Sequence, residues 1–103
     1  MDLYNDEYMK GSSALKENSK EVNEKYREWK KATEAALDPK TVELISVAVG
    51  TALRCSYCVG SHSQKARVRG ATDKEIAAAV NIAAGVSAGA ALSYGVIAFE
   101  NKK

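Results

Sequence analysis

Hydrophobic and polar positions along the chain fall into helical patterns, and strand-like alternation is scarce. Residues 1–10 are a polar lead in which Tyr4 and Tyr8, four apart, form one apolar strip of a short helix. Gly11-Ser12-Ser13 reads as a break with a serine N-cap. From Ala14 to Leu37 a charged segment carries Leu15, Val22, Tyr26 and Trp29 at roughly helical spacing. Ala32, Ala36 and Leu37 continue that stripe, with Lys and Glu on the other face. The stripe is narrow, so this helix is expected to lie across something more apolar. Asp38-Pro39 is a strong helix start, because aspartate caps free N–H groups and proline has none to leave unpaired. The helix that follows, Lys40 to Arg54, is almost wholly apolar: Val42, Leu44, Ile45, Val47, Ala48, Val49, Ala52 and Leu53. Such a helix is buried on most sides.

Beyond Cys55 a further helix is expected to run to about Arg69, with Gly70 as its stop. Thr72 and Glu75 have the spacing of a capping box. A helix follows to about Ala84. Gly85 to Gly89 is expected to bend or break it, and Ala90 to Glu100 makes the last helix before the solvated tail Asn101-Lys102-Lys103. With one proline and abundant alanine, the chain reads as an all-α, compact helical bundle. It reads as a single domain, with 1–37 a polar N-terminal helical extension and 38–100 the core.

Size changes this picture first. A domain of 103 residues with only two cysteines buries a modest fraction of its surface and has no disulfide framework. Oligomerisation is the expected source of further burial. The 24 residues from Ile76 to Phe99 carry no charge, long enough to span a bilayer. Nine of them are Ala and three are Gly, where a lipid-facing helix favours Leu or Phe, so a buried helix pair is expected and no membrane partner. The net charge of +2 is too small to indicate a nucleic-acid binder. Residues 1–40 hold eight Lys/Arg against nine Asp/Glu, and residues 41–103 hold seven against four. The short basic run Lys65, Arg67, Arg69 reads as a solvated face, with a docking patch for an acidic partner or an anionic substrate as the other reading. Met1 to Lys10 lacks an apolar core and so lacks the pattern of a secretory signal. A cytoplasmic location is expected. There a CxxC is catalytic or metal-binding more often than structural.

The candidate chemistry is the Cys55-Ser56-Tyr57-Cys58 sequence and His62, the chain's one histidine. At about 100° per residue, Cys55, Cys58 and His62 fall within roughly 60° of arc on one helix face. Cys58 and His62 are i,i+4 neighbours, and the cysteines, at i,i+3, are close enough for a disulfide. A thiolate in the first turn of a helix is stabilised by unpaired N–H groups, and a nearby imidazole can take or return its proton. A purely structural role is weak, since so short a disulfide loop restrains the unfolded chain by about 2 kcal/mol at best. Glu43 is the other anomaly, a carboxylate in an apolar run. Either it points to the helix's one exposed edge, or it faces the Cys/His cluster and hydrogen-bonds His62 or a thiol. Arg54 either lowers a thiol pKa by its charge or is simply solvated. Tyr57 either packs half-buried or donates a hydrogen bond in the site. As a different class of function, Cys55, Cys58, His62 and Glu43 make a possible zinc ligand set, although three come from one helix face. A non-catalytic oligomeric scaffold is the third class.

Glu43, Cys55-x-x-Cys58 and His62, with their spacing, resemble the alkylhydroperoxidase D-like branch of the carboxymuconolactone decarboxylase family. Ala66 to Gly70, Ala71-Thr72-Asp73-Lys74-Glu75-Ile76 and the Ala/Gly-rich segment with Tyr94 are similar to that family's core, over about residues 36–100. The resemblance implies an all-helical domain assembling as a homotrimer or homohexamer, and a peroxide or disulfide reductase without metal or other cofactor. It implies that Cys58 attacks the peroxide and becomes a sulfenic acid. Cys55 then resolves it to a disulfide, and Glu43 and His62 relay protons. The electrons come from a thiol reductant, a dithiol or a thioredoxin- or lipoyl-type partner. The helix-terminus reading alone favours Cys55 as the attacker, so the order of the thiols stays open. Tyr57 stands where the peroxidase branch often has a histidine, which leaves one fewer proton carrier. The CxxC argues against lactone decarboxylation, because the decarboxylase branch generally lacks it.

Overall fold

The computed structural model describes residues 4–100, and every regular element among them is helical. The Asn101-Lys102-Lys103 tail lies outside the described residues. The chain divides into two compact units, one up to Asp38 and one from Pro39 onward.

The first unit holds α1 (Asp6–Glu17) and α2 (Lys20–Glu34). Asn5 caps α1 by accepting the Tyr8 N–H at 3.0 Å, and Tyr4 meets Tyr8 edge to face. The break between the helices therefore falls at Asn18-Ser19 and not at Gly11-Ser12-Ser13, which lies inside α1. The Asn18 side chain donates to the Ala14 carbonyl at 2.8 Å, and its own N–H bonds the same oxygen. The asparagine side chain thus closes α1 in competition with helix continuation. On α2, Tyr26 and Trp29 stack with ring centroids 6.1 Å apart.

The second unit holds α3 (Pro39–Leu53), α4 (Ser56–Val68), α5 (Asp73–Gly95) and a closing 3-10 turn, Val96–Phe99. Pro39 opens α3, as its fixed φ and missing N–H allow. Helix α3 is the central element and packs against both α4 and α5. Its buried stripe is Glu43, Val47 and Gly50, at i, i+4 and i+7. Val47 meets Ala66, Ala71, Ile76 and Ala79 in the core, with Leu44, Ala48 and Val80 packed around them. Alanine dominates this core, so the helices approach closely and little large apolar volume is enclosed.

Helix α4 ends in a Schellman motif. The Ala71 N–H reaches back to the Ala66 carbonyl at 2.9 Å and the Gly70 N–H to the Arg67 carbonyl at 3.0 Å, with Gly70 at φ +91°. Thr72 and Glu75 then form a complete capping box for α5. Helix α5 is one uninterrupted helix, which corrects the expected break at Gly85–Gly89 and the expected buried pair. A helical glycine costs about 1 kcal/mol relative to alanine. Here the alanines around Gly85 and Gly89 carry the helix through. Its buried residues, Ile76, Ala79 and Ala83, all lie in the first half. Ile82, Val86, Leu92, Tyr94, Val96, Ile97 and Phe99 are exposed on this chain. By length and composition alone the segment Asp73–Phe99 is long and apolar enough to cross a bilayer.

Glu75 ties two helix starts together. Its carboxylate accepts the Thr72 N–H at 2.9 Å and pairs with Lys40 of α3 at 2.9 Å. The Thr72 hydrogen bond first, and then Lys40, hold its pKa below the usual carboxylate value. A depressed folded-state pKa adds stability above the unfolded value and loses it as pH falls through the folded one. Glu75→Gln is therefore expected to melt below the wild type at neutral pH. The difference should shrink as pH drops through the ordinary carboxylate range and close below the pKa of Glu75 itself. Thermal melts of both proteins across an acid pH series check this.

Candidate functional site

The site is built where the end of α3 meets the start of α4. Helix α3 also ends in a Schellman motif. The Cys55 N–H bonds the Gly50 carbonyl at 2.9 Å and the Arg54 N–H bonds the Thr51 carbonyl at 3.1 Å. The residue in the left-handed position is Arg54, at φ +57°, the one non-glycine with positive φ among the described residues. Cys55 is then the N-cap of α4, and its sulfur accepts the Cys58 N–H at 3.2 Å. Cys55 and Cys58 are joined by a disulfide, with Cα atoms 5.2 Å apart. The pair therefore sits on the first turn of α4, where the helix dipole and unpaired N–H groups favour negative charge on sulfur.

One turn beyond Cys58, His62 crosses to α3. Its Nδ1 lies 2.7 Å from a Glu43 carboxylate oxygen, and both side chains are largely shielded from solvent. Of the two expectations for Glu43, the edge-exposed one is overturned. The residue is 8% exposed and is the one buried charged side chain among the described residues. A carboxylate can only accept, so with Glu43 in that form Nδ1 donates this bond and Nε2 is the nitrogen left to exchange a proton with another group. The structure thus brings the disulfide and the Glu43–His62 pair onto one α3–α4 interface. Tyr57 is about half exposed, in keeping with the half-buried expectation, and Arg54 lies on the surface. Of the basic run, Arg67 pairs with Asp73 at 3.2 Å. No group of three or more His, Cys, Asp or Glu among the described residues is placed to hold a metal ion.

Gly50 is absent from the sequence candidates and proves central. A Cβ built on it would lie 2.9 Å from the Cys58 Cβ and 3.3 Å from the Val59 backbone N. Its bare Cα lets the CxxC turn seat on α3, while its carbonyl anchors Cys55. The signal was available: a glycine on the buried stripe of an apolar helix points to close approach by another backbone.

The sequence pattern of the carboxymuconolactone decarboxylase family matches residues 20–101. The chain belongs to the carboxymuconolactone decarboxylase family. The match takes in α2 as well as the three later helices, beyond the stretch from about residue 36 that carries the resemblance. Uncharacterised protein 4 in the cox locus of Paracoccus denitrificans is 36% identical over 90 residues, 82% of this chain and 81% of that protein. A crystal structure of a protein from Methanobacterium thermoautotrophicum shares the fold, with a TM-score of 0.79 and 32% identity. It covers 86% of this chain and 99% of that one.

Gly50→Ala is expected to lower the melting temperature, because crowding a packed interface costs about 1–3 kcal/mol and outweighs the gain in helix propensity. Gly60→Ala is the control. Gly60 lies on α4 with nothing within 4 Å of an added Cβ, so this substitution should raise the melting temperature. Parallel thermal melts of the two variants decide it.

Proposed function

We propose that this protein is a dithiol–disulfide oxidoreductase that reduces a peroxide or a disulfide with the Cys55–Cys58 pair. The observation that carries the reading is the Glu43–His62 hydrogen bond, a buried acid holding an imidazole one turn from Cys58. A redox thiol needs its proton removed before attack, and its leaving group needs one afterwards. In the reduced protein, His62 takes the proton of Cys58. The thiolate attacks the terminal oxygen of a hydroperoxide, the O–O bond breaks, and the alkoxide leaves as the alcohol with the proton that His62 returns. Cys58 is then a sulfenic acid. The Cys55 thiol attacks it, and the products are water and the disulfide. With a disulfide substrate, Cys58 displaces one thiol and Cys55 the second. In both cases two electrons pass from the cysteines to substrate, and an external dithiol restores the pair.

Cys58 is assigned the attack because it precedes His62 by one helical turn on α4, while Cys55 caps the helix and its sulfur accepts the Cys58 N–H. Family membership and the resemblance of the Glu43, Cys55, Cys58, His62 set to the alkylhydroperoxidase D-like branch support the same assignment. A homo-oligomer, trimer or hexamer, is proposed as the working form. The exposed apolar side chains of the second half of α5 exceed what a soluble domain usually leaves uncovered.

The reduced protein is expected to lose two free thiols on addition of one equivalent of hydroperoxide, read by thiol titration. Cys58→Ser should abolish the loss, and Cys55→Ser should trap a sulfenic acid detectable by mass spectrometry. Glu43→Gln and His62→Gln should each slow the oxidation by about 10²-fold or more. Two thiols that stay free with peroxide and with every disulfide offered would refute the function.

A further inference from the structure

We propose that Arg54 is a specificity residue that draws an anionic substrate, a disulfide bearing carboxylates, to the Cys55–Cys58 pair. The inference rests on the thiol-exchange reading above and names its substrate class.

The backbone supplies the first observation. Helices α3 and α4 end in the same hydrogen-bonded motif, with the same two reach-back bonds. At the end of α4 the left-handed position is held by Gly70, the residue that adopts it without steric cost. At the end of α3 it is held by Arg54, a residue with a Cβ that disfavours that conformation. The backbone of this turn is satisfied by glycine elsewhere in the same chain, so its geometry alone does not account for an arginine.

The second observation is what surrounds it. Arg54 is exposed and forms no ion pair with any described residue. Between Glu43 and Asp73 the chain has no carboxylate, and Glu43 is engaged by His62. Arg54 directly precedes Cys55 in the chain, so its charge is tethered next to the redox turn. On either side, Leu53 is 72% exposed and Tyr57 52% exposed. The exposed side chains next to the cysteines in the chain thus include one cation with apolar groups on either side of it, a composition that suits a molecule with an apolar body and an anionic end. The thiolate has less need of this cation. At the first turn of α4 the Cys55 sulfur already has the Cys58 N–H and the helix dipole. A guanidinium open to solvent acts on what arrives from solvent, and its planar fork matches a carboxylate.

The step proposed is two-electron exchange. One thiolate of the reduced pair attacks a sulfur of the anionic disulfide and displaces the first thiolate while Arg54 holds the carboxylate. The second cysteine then attacks the mixed disulfide, closes the Cys55–Cys58 bond and releases the second thiol.

The test is a single-turnover reaction of the reduced full-length protein, freed of reductant, with two chromogenic disulfides. Dithiobis-nitrobenzoate is dianionic, and dithiodipyridine is neutral. The measured quantity is the ratio of the two rates. Arg54→Gln and Arg54→Gly are expected to lower that ratio by about fivefold, the scale of one charge contact near a solvated surface. Arg54→Lys keeps the charge and should keep most of the ratio. Raising the salt should lower the wild-type ratio more than that of Arg54→Gln. Arg54→Gly is also expected to melt at or above the wild type, since glycine suits the backbone there. An unchanged ratio in Arg54→Gln would overturn the inference while leaving the redox reading intact. So would a lower melting temperature in Arg54→Gly, which would give the arginine a structural role. If neither disulfide reacts with the reduced wild type, the redox reading fails and this inference fails with it.

Discussion

One hydrogen bond organises the second unit: the Glu43 carboxylate on α3 accepting from the His62 ring on α4, at 2.7 Å. A carboxylate in an apolar helix is costly to bury unless something compensates its charge. His62 supplies a hydrogen bond to that carboxylate, and the requirement helps fix how α4 lies on α3. Once those two residues face each other in an antiparallel pair, the residues seven further along α3 and four earlier on α4 come together. These are Gly50 and Cys58, and their approach is close enough to exclude a methyl group. The acid–imidazole pair and the sulfur pair are thus two points on one helix interface, held at a set separation by backbone packing between them.

The same interface explains why the site lies on so small a core. Val47, fully buried, sits on the stripe between Glu43 and Gly50, and its neighbours are mostly alanines. A core of this kind gives closeness and rigidity more than apolar volume. Capping supplies what bulk does not. Two Schellman motifs and one capping box fix the turns on either side of α4, and the Lys40–Glu75 pair ties the start of α3 to that of α5. In the proposed oligomer the apolar second half of α5 supplies the remaining burial.

Where a local physical signal was strong, the sequence was readable. Pro39 can only open a helix, Gly70 suits the left-handed stop, and Thr72 with Glu75 closes a box across one turn. The next helix begins directly after Cys55, as expected from the sequence, with Cys55 as its N-cap. A lone glycine in helical surroundings is a weak stop. Gly11, Gly85 and Gly89 all lie inside helices, because a cost of about 1 kcal/mol is outweighed by the rest of each helix, by the surrounding alanines in the case of Gly85 and Gly89. The partner of Glu43 could be named only as one of two options, since burial is a property of the assembled interface. Arg54 shows a further limit. Its left-handed backbone departs from residue preference, so nothing in the sequence marks it.

The central claim is that a buried glutamate fixes the tautomer of His62 and couples that ring to the neighbouring sulfurs. Because the chain has one histidine, a nitrogen-15 correlation spectrum of its imidazole reads this ring alone. The account predicts a proton on Nδ1 in the wild type, and ring resonances that shift when the Cys55–Cys58 bond is reduced. A neutral ring protonated on Nε2, with resonances indifferent to the redox state of the cysteines, would contradict it.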